Sequence, residues 1–397
     1  MGELYPEGFT NRWSMGGVSL SHRSPYDFVL QNPASLAYLK QTTFKVGGYN
    51  QNRYAEPEGS NSVESANQGV SYLALAFPVD ESQFIGGGFS LRPLTRTAFT
   101  FRQDEVLTGP DGDSTRLSER VEGVGGLSQF VLQGGIRVSP RLAVGLEGGY
   151  VFGSITLDNQ QAVVGTEGSL SNLYFISENE QNSYRGWTYQ TGVQYTLPID
   201  EAKRFVIGAR VRPQIRLKRF RERDLFSRPA SGGSLQDTIT SSSTEEKVAV
   251  LPARYGLAVS YNMAPQQELA IEYQQAQWST IQEAPFDPSP KDSRQLRLGY
   301  AVTPEREAVR GFFKRLNYRF GARYHQTHIE VQGQQIETYA VSFGVGIPLN
   351  QTRSSVNFGI EFGQRGTNDN ELLRERLLRF QFGLSLNDEW FKSRKIQ

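Results

Sequence analysis

The chain has 397 residues, with 42 Lys plus Arg against 41 Asp plus Glu and no cysteine. A net charge of +1 excludes bulk electrostatic attraction to nucleic acid as the basis of its function. No apolar run approaches the ~18 residues of a spanning helix, so a helical membrane protein is excluded as well. The composition is rich in Gly (40), Phe (24) and Tyr (18). Absence of cysteine suits an exposed or oxidising compartment. The residues after Met1 lack the basic, apolar and small-residue regions of a secretory leader, so an exported chain is expected here in its mature form or with a re-started N-terminus.

The first forty residues show no alternation. They include the stretches from Trp13 to Val18 and from Ser24 to Ala37, which are apolar, small and costly to leave as a free tail. Residues 1–41 are therefore expected to pack as a plug.

From residue 42 onward one event repeats: strict alternation over ten or so residues, then a turn or polar connection. Leu142, Val144, Leu146, Tyr150 and Phe152 interleave with Ala143, Gly145, Glu147, Gly149 and Gly153. Phe205, Ile207, Val211, Ile215 and Leu217 alternate with Gly208, Arg210, Arg212, Arg216 and Lys218. The same polarity recurs over Tyr339 to Leu349, Val356 to Gly363 and Leu378 to Leu386. Strands are expected near 42–52, 67–78, 84–103, 117–138, 141–157, 183–197, 203–220, 248–261, 267–279, 294–303, 314–329, 335–349, 353–364 and 374–388.

Such alternation fits a soluble sandwich with apolar faces inward or a membrane barrel with apolar faces outward. Strands that reach the roughly 9–11 residues of a tilted membrane strand favour the barrel. So do Arg and Glu on the glycine-rich faces, and aromatics such as Trp187, Tyr189, Tyr195, Tyr318, Tyr324 and Trp390 at strand ends. The fold class expected is all-β: a transmembrane antiparallel barrel of about fourteen strands over 42–391, with a lumenal N-terminal segment and a tail at 392–397.

Connections alternate in length. Those at Asp80 to Ser82, Ser139 to Arg141, Pro198 to Ala202 and Asn350 to Arg353 are short, whereas 53–66, 104–116, 158–182, 221–247 and 280–293 read as long polar loops. Residues 304–313 are a long connection on the short side, and 330–334 a short one on the long side. The even strand count places both termini at the short-turn, periplasmic end of an outer-membrane protein.

Enzyme signatures are missing. There are three histidines, His22, His325 and His328, and no nucleophile elbow, zinc-protease helix or P-loop. The segments Asp111-Gly112-Asp113 and Asn368 to Glu371 carry closely spaced oxygen ligands that solvated turn chemistry explains, so neither metal nor cofactor is expected. The polar faces hold an arginine file, Arg210, Arg212, Arg216, Arg319, Arg323 and Arg379. It reads either as ion-paired filler or as an anion-attracting path.

A glycine-rich N-terminal stretch with Gly16-Gly17, then Asn32-Pro33-Ala34 just ahead of about fourteen strands, resembles the FadL family of outer-membrane transporters for hydrophobic compounds. The ending from Leu386 to Phe391 before a short basic tail is most similar to the Bacteroidetes-type branch. The resemblance implies an N-terminal hatch held through Asn32, Pro33 and Ala34. It also implies lateral exit of a fatty-acid-like ligand through a gap beside the third strand. There Gly86, Gly87 and Gly88 permit bending, and Pro93 cannot donate to a ladder. A bulge that adjusts barrel curvature is the alternative reading of that strand. Implied partners are membrane lipid and a hydrophobic small molecule. Relatives of this shape, such as PorV-like shuttles of type 9 secretion, also serve as subunits of outer-membrane assembly or secretion complexes, which is the second function expected.

Overall fold

In the computed structural model the described residues are 2–56, 63–79, 84–108, 114–165, 174–229, 237–264, 266–281, 290–308, 310–349, 353–368 and 373–389. The Asp111 to Asp113 segment, Trp390, the 392–397 tail and most of Asn368 to Glu371 lie outside them.

The wall is built from β2 (Thr42–Glu56), β3 (Val63–Pro78), β4 (Ile85–Thr108), β5 (Ser114–Arg137), β6 (Leu142–Gly165), β7 (Tyr174–Pro198), β8 (Arg204–Arg212), β9 (Ile215–Pro229), β10 (Asp237–Leu251), β11 (Arg254–Ala264), β12 (Gln267–Ala276), β13 (Ser293–Val302), β14 (Asn317–Val331), β15 (Gln334–Pro348), β16 (Ser355–Arg365) and β17 (Arg374–Asp388). A two-residue strand, β1 (Glu3–Leu4), joins from the N-terminal segment. β17 pairs antiparallel with β2 and closes the ring. Counting β8–β9 and β10–β11 as two interrupted strands, and leaving out β1, fourteen strands form the wall.

Alternation explains which side faces what. Leu146 is 70% exposed on the outside, while its neighbour Glu147 is 7% exposed and faces in. Trp187, Val341, Phe358, Phe362, Phe380 and Phe382 share the outward, lipid-compatible face. Arg210, Glu272, Glu361 and Arg379 are buried on the inner face. An apolar belt around a polar interior is the signature of an outer-membrane barrel, and this chain is one.

Two departures from regular alternation have local causes. Pro213 and Pro252, which have no N–H to give, lie in facing breaks between β8 and β9 and between β10 and β11. Thr191 opposes Val211 and Arg185 opposes Lys218, so six steps along β7 face seven on the partner. One extra residue inverts the faces. Beyond it Ile215 and Leu217 point inward and Arg216 is exposed, which corrects the expectation that Arg216 is lumenal.

The second departure concerns the segments read as long loops. Most of 104–116, 158–182 and 221–247 is strand, because β4 to β7, β9 and β10 continue far past the belt. In water a ladder needs backbone bonds but no apolar face, so polar residues carry it. Across the β14–β15 hairpin, Gln332 (φ 50°) and Gly333 (φ 77°) both adopt the left-handed conformation of a two-residue turn.

Candidate functional site

The N-terminal segment touches the inner face of the wall along most of its length. Phe9, Phe28, Leu30, Leu36 and Leu39 pack with Tyr72, Ala74 and Ala76 of β3. A short helix, Thr10–Trp13, is followed by Gly16 (φ 69°) and Gly17 (φ 87°), a left-handed pair that turns the chain. A Cβ at Gly16 would also collide with the Leu298 and Ala322 carbonyls of the wall, so glycine is required there twice over.

Asn32 caps a 3-10 helix, Pro33–Tyr38, by accepting from Ala34 N–H at 3.1 Å. Its amide donates to the Leu20 carbonyl at 2.7 Å and to Val193 of β7 at 3.2 Å. Pro33 takes the first helical position, and Ala34 packs with Ala37, Tyr38 and Ala143. Gly192 and Gly145 lie against this motif, and side chains there would overlap Asn32 and Pro33. The tripeptide is thus buried and bonded to two parts of the chain at once.

The arginine file is answered by carboxylates. Arg210 donates to Glu7 at 2.7 Å and Arg254 at 3.1 Å, with Arg212 at 3.7 Å. Burial alone would raise the Glu7 pKa, but the three guanidiniums hold it well below the usual carboxylate range. Arg92 pairs with Glu147 at 2.8 Å, Arg297 with Glu272 at 2.8 Å and Arg323 with Glu361 at 2.7 Å. Glu272 also accepts from Ser19 and Leu20 N–H, tying the wall to the N-terminal segment. Lys45 and His22 both engage Asp27, whose carboxyl is likewise held low despite burial. Arg319 and Arg379 bond to the amides of Asn357 and Gln51, and Arg379 stacks over Trp13. Of the six arginines in the file, Arg210, Arg212 and Arg323 are ion-paired to carboxylates.

Nothing in the sequence marked Glu7, Glu147 or Glu272 as partners, because pairs such as Arg210–Glu7 join positions 203 apart. An inner apolar cluster of Leu94, Leu127, Val151, Tyr184, Ile215 and Leu217 was hidden in the same way. It is close-packed rather than an open apolar pocket.

Among the described ladders, the wall is incomplete between β3 and β4. β3 and β4 pair from Pro78 with Gly86 up to Leu73 with Leu91 and no further, although both strands continue. Gly86, Gly87 and Gly88 are paired to β3 and to β5 and lie below the split. Gly86 accommodates the Leu36 carbonyl of the N-terminal segment instead. Pro93 sits at the point where the ladder ends, beside a register shift that turns Leu94 inward. Above it β1 lies on the open edge of β4, Leu4 opposite Thr95 and Glu3 opposite Arg96, and Tyr5 N–H donates to the Leu94 carbonyl at 2.9 Å.

Two cavities meet here. One of about 370 Å³ is lined by Arg297, Arg323, His325, Trp278 and His328, the last two stacked at 3.9 Å. The other, about 80 Å³, lies by the split among Tyr49, Asn67 and Arg96. Glu3, Leu4, Tyr5 and Pro6 line both and separate them. Glu3 bridges Arg53 and Arg365 far up the barrel, so the N-terminus lies toward the long-strand end. β17 finishes at the short-turn end, so the expectation that both termini share that end is corrected.

The fold is that of FadL-type barrels. A Pseudomonas aeruginosa FadL homologue superposes with a TM-score of 0.63 at 13% identity, covering 98% of this chain and 100% of the other. The Pseudomonas putida toluene transporter TodX gives 0.60 at 14% identity, covering 98% and 99%. The Ralstonia pickettii toluene transporter TbuX gives 0.58 at 12%, covering 96% and 98%. No curated protein matches the sequence. The family model BamG matches residues 1–397, and the chain belongs to the BamG family.

Proposed function

We propose that this barrel passes a hydrophobic small molecule from its long-strand end sideways through the split between β3 and β4. The single observation that carries this is the ladder that stops at Leu73 and Leu91 while both strands run on. In this reading the long-strand end is external, residues 1–41 are the hatch, and Asn32, Pro33 and Ala34 anchor it. Pro93 marks the lower lip of the exit. Residues 3 to 6 are the movable partition, because they divide the upper cavity from the pocket beside the split. The solved barrels of like fold include toluene transporters, and toluene and a long-chain fatty acid are the natural probes.

The test is a disulfide. Leu4 and Thr95 oppose each other across β1 and β4, and the chain has no cysteine of its own. Leu4→Cys with Thr95→Cys should lock the partition when oxidised and stop uptake of both probes into liposomes; reduction should restore it. Equal uptake in oxidised and reduced protein would sink the partition.

A second reading, a non-transporting subunit of an outer-membrane complex, draws support from the paired charges that fill the lumen. If no probe crosses even the reduced or wild-type barrel, this reading prevails.

A further inference from the structure

The connection between β13 and β14 is the long one at the short-turn end, and it is built rather than slack. Glu305 N–H donates to the Lys314 carbonyl at 2.8 Å and Lys314 N–H to the Gly311 carbonyl at 3.1 Å. Gly311 takes a left-handed φ of 96° that lets the chain turn back. The Lys314 ammonium also pairs with the Glu305 carboxylate at 3.3 Å. Arg306 and Arg315 immediately follow those two residues, and the acid beside them is already paired. Both line a cavity of about 160 Å³, bounded by Tyr26 of the N-terminal segment, Arg319 of β14 and Arg353 just ahead of β16.

Four guanidiniums thus line one space. None of the four makes an ion pair with a described carboxylate, whereas Arg297 of β13 and Arg323 of β14 both do. Asp27 is the one acid among the described residues that line the cavity, and Lys45, His22 and Asn11 already engage its carboxylate. The stretches 350–352 and 390–397 contain no Asp or Glu. Arg319 is 7% exposed; it donates through Nη1 to Asn357 at 2.8 Å, while its Nε has no partner among the described residues. Arg315 Nε is buried and unpartnered in the same way. Arg353 lies over the Tyr26 ring at 4.7 Å, a contact that orients it and leaves its N–H groups free to donate. Partial desolvation and then the Arg353 charge lower the Arg306 pKa, so these groups feel one another. The Ser24 and Ser355 hydroxyls, also in the lining, accept from Tyr26 N–H and the Asn357 amide at 3.2 Å each, which leaves each a proton to give.

We propose that this cavity binds a phosphate group. The guanidinium forks come from three elements, the β13–β14 connection, β14 and the residue leading into β16. That arrangement suits a tetrahedral group with three or more acceptor oxygens better than a planar carboxylate, which one fork satisfies. Such a site is independent of transport, because it lies at the short-turn end and can be filled whether or not the split conducts. The phosphate can be a soluble one or the headgroup of a lipid, and the two sources respond differently to a bilayer.

The test titrates the full chain, delipidated in a maltoside detergent, with inorganic phosphate in a calorimeter. One saturable site is expected. Arg315→Gln and Arg353→Gln should each weaken it about tenfold or more, the effect of losing a charge-assisted hydrogen bond. Arg141→Gln removes an exposed arginine from another turn at the same end and should leave the affinity unchanged. Repeating the titration in phosphatidylglycerol nanodiscs separates the sources. Unchanged affinity there marks a soluble phosphate as the ligand, and loss of free-phosphate binding marks a headgroup already in place; either result keeps the site. No saturable site in detergent, equal weakening by Arg141→Gln, or full affinity in both Arg315→Gln and Arg353→Gln would each overturn the proposal. Heat-modifiable folding checks every variant, and should either of the two fail to fold, Arg306→Gln on the connection outside the wall reads the same loss.

Discussion

The two ends of the barrel solve the same problem in opposite ways. At the short-turn end every strand is paired on both sides and the N-terminal segment fills the interior, with Leu36 and Leu39 packed on β3 and Asn32 bonded to β7. At the long-strand end β4 to β7, β9 and β10 run on as ladders in water, the β3–β4 pairing has ended, and a two-residue strand covers part of the gap. The first arrangement is held by side chains and tolerates few changes. The second is held mainly by backbone bonds. In the proposed reading the hatch that seals and the seam that yields lie at different heights of the barrel.

The largest expected effect comes from breaking the sealed half at its most concentrated charge. Glu7→Ala leaves Arg210, Arg212 and Arg254 facing one another in a buried site. Removing one side of a buried pair costs about 3–5 kcal/mol. Urea unfolding in detergent should show that loss, and planar-bilayer conductance should rise as the N-terminal segment loosens. The pH dependence has a definite sign. The Glu7 and Asp27 pKa values are depressed by the fold, so their stabilisation is complete above the ordinary carboxylate range. It is lost as pH falls through and below that range, where conductance should rise in wild type and rise less in Glu7→Ala, which keeps only the Asp27 contribution.

Next comes the belt. Leu146→Arg puts a charge on a lipid-facing position and should cost about 2–4 kcal/mol if it lies near the midplane. Ala98→Arg, on the outward face above the belt, should cost nothing measurable. Equal losses in heat-modifiable folding would erase the boundary between lipid-facing and water-facing strand.

Much of this was legible in the residues. The alternation of Leu146 with Glu147, or Phe362 with Glu361, gave strand and face, and strand length with charged, glycine-rich faces gave the membrane class. Polar strands above the belt were not legible, since their ladders leave no apolar face to read. Arg216 was misplaced because Pro213 inserts one residue opposite β7, and a shift of one inverts every later assignment. The Glu7 triad could not be found at all, since a carboxylate in a non-periodic segment says nothing of guanidiniums two hundred positions away.

Asn32→Ala is a smaller break in the sealed half. It removes the cap on Ala34 N–H and leaves the Leu20 carbonyl to Gln194 alone. A lost cap costs about 0.5–2 kcal/mol. The expected outcome is a folded barrel with faster protease cleavage between residues 20 and 40, and unchanged cleavage there would mean the cap is dispensable.

The smallest change in stability should come from Pro93→Val, and it bears most directly on the seam. Pro93 offers no N–H where the β3–β4 ladder ends, and the next register pair on β3 would be Ser71. Valine supplies the donor and favours the extended backbone, so the ladder gains at most about 1 kcal/mol. Leu94 stays buried in the inner apolar cluster, so the register shift beside it resists removal. Two outcomes follow from those opposing pulls. If the missing donor alone keeps the seam open, hydrogen exchange at Val70 and Ser71 slows in the variant, and uptake of toluene falls with it. If Leu94 holds the bend, exchange and uptake both match wild type. In that case a double change, Pro93→Val with Leu94→Ser, should close the seam that the single change leaves open.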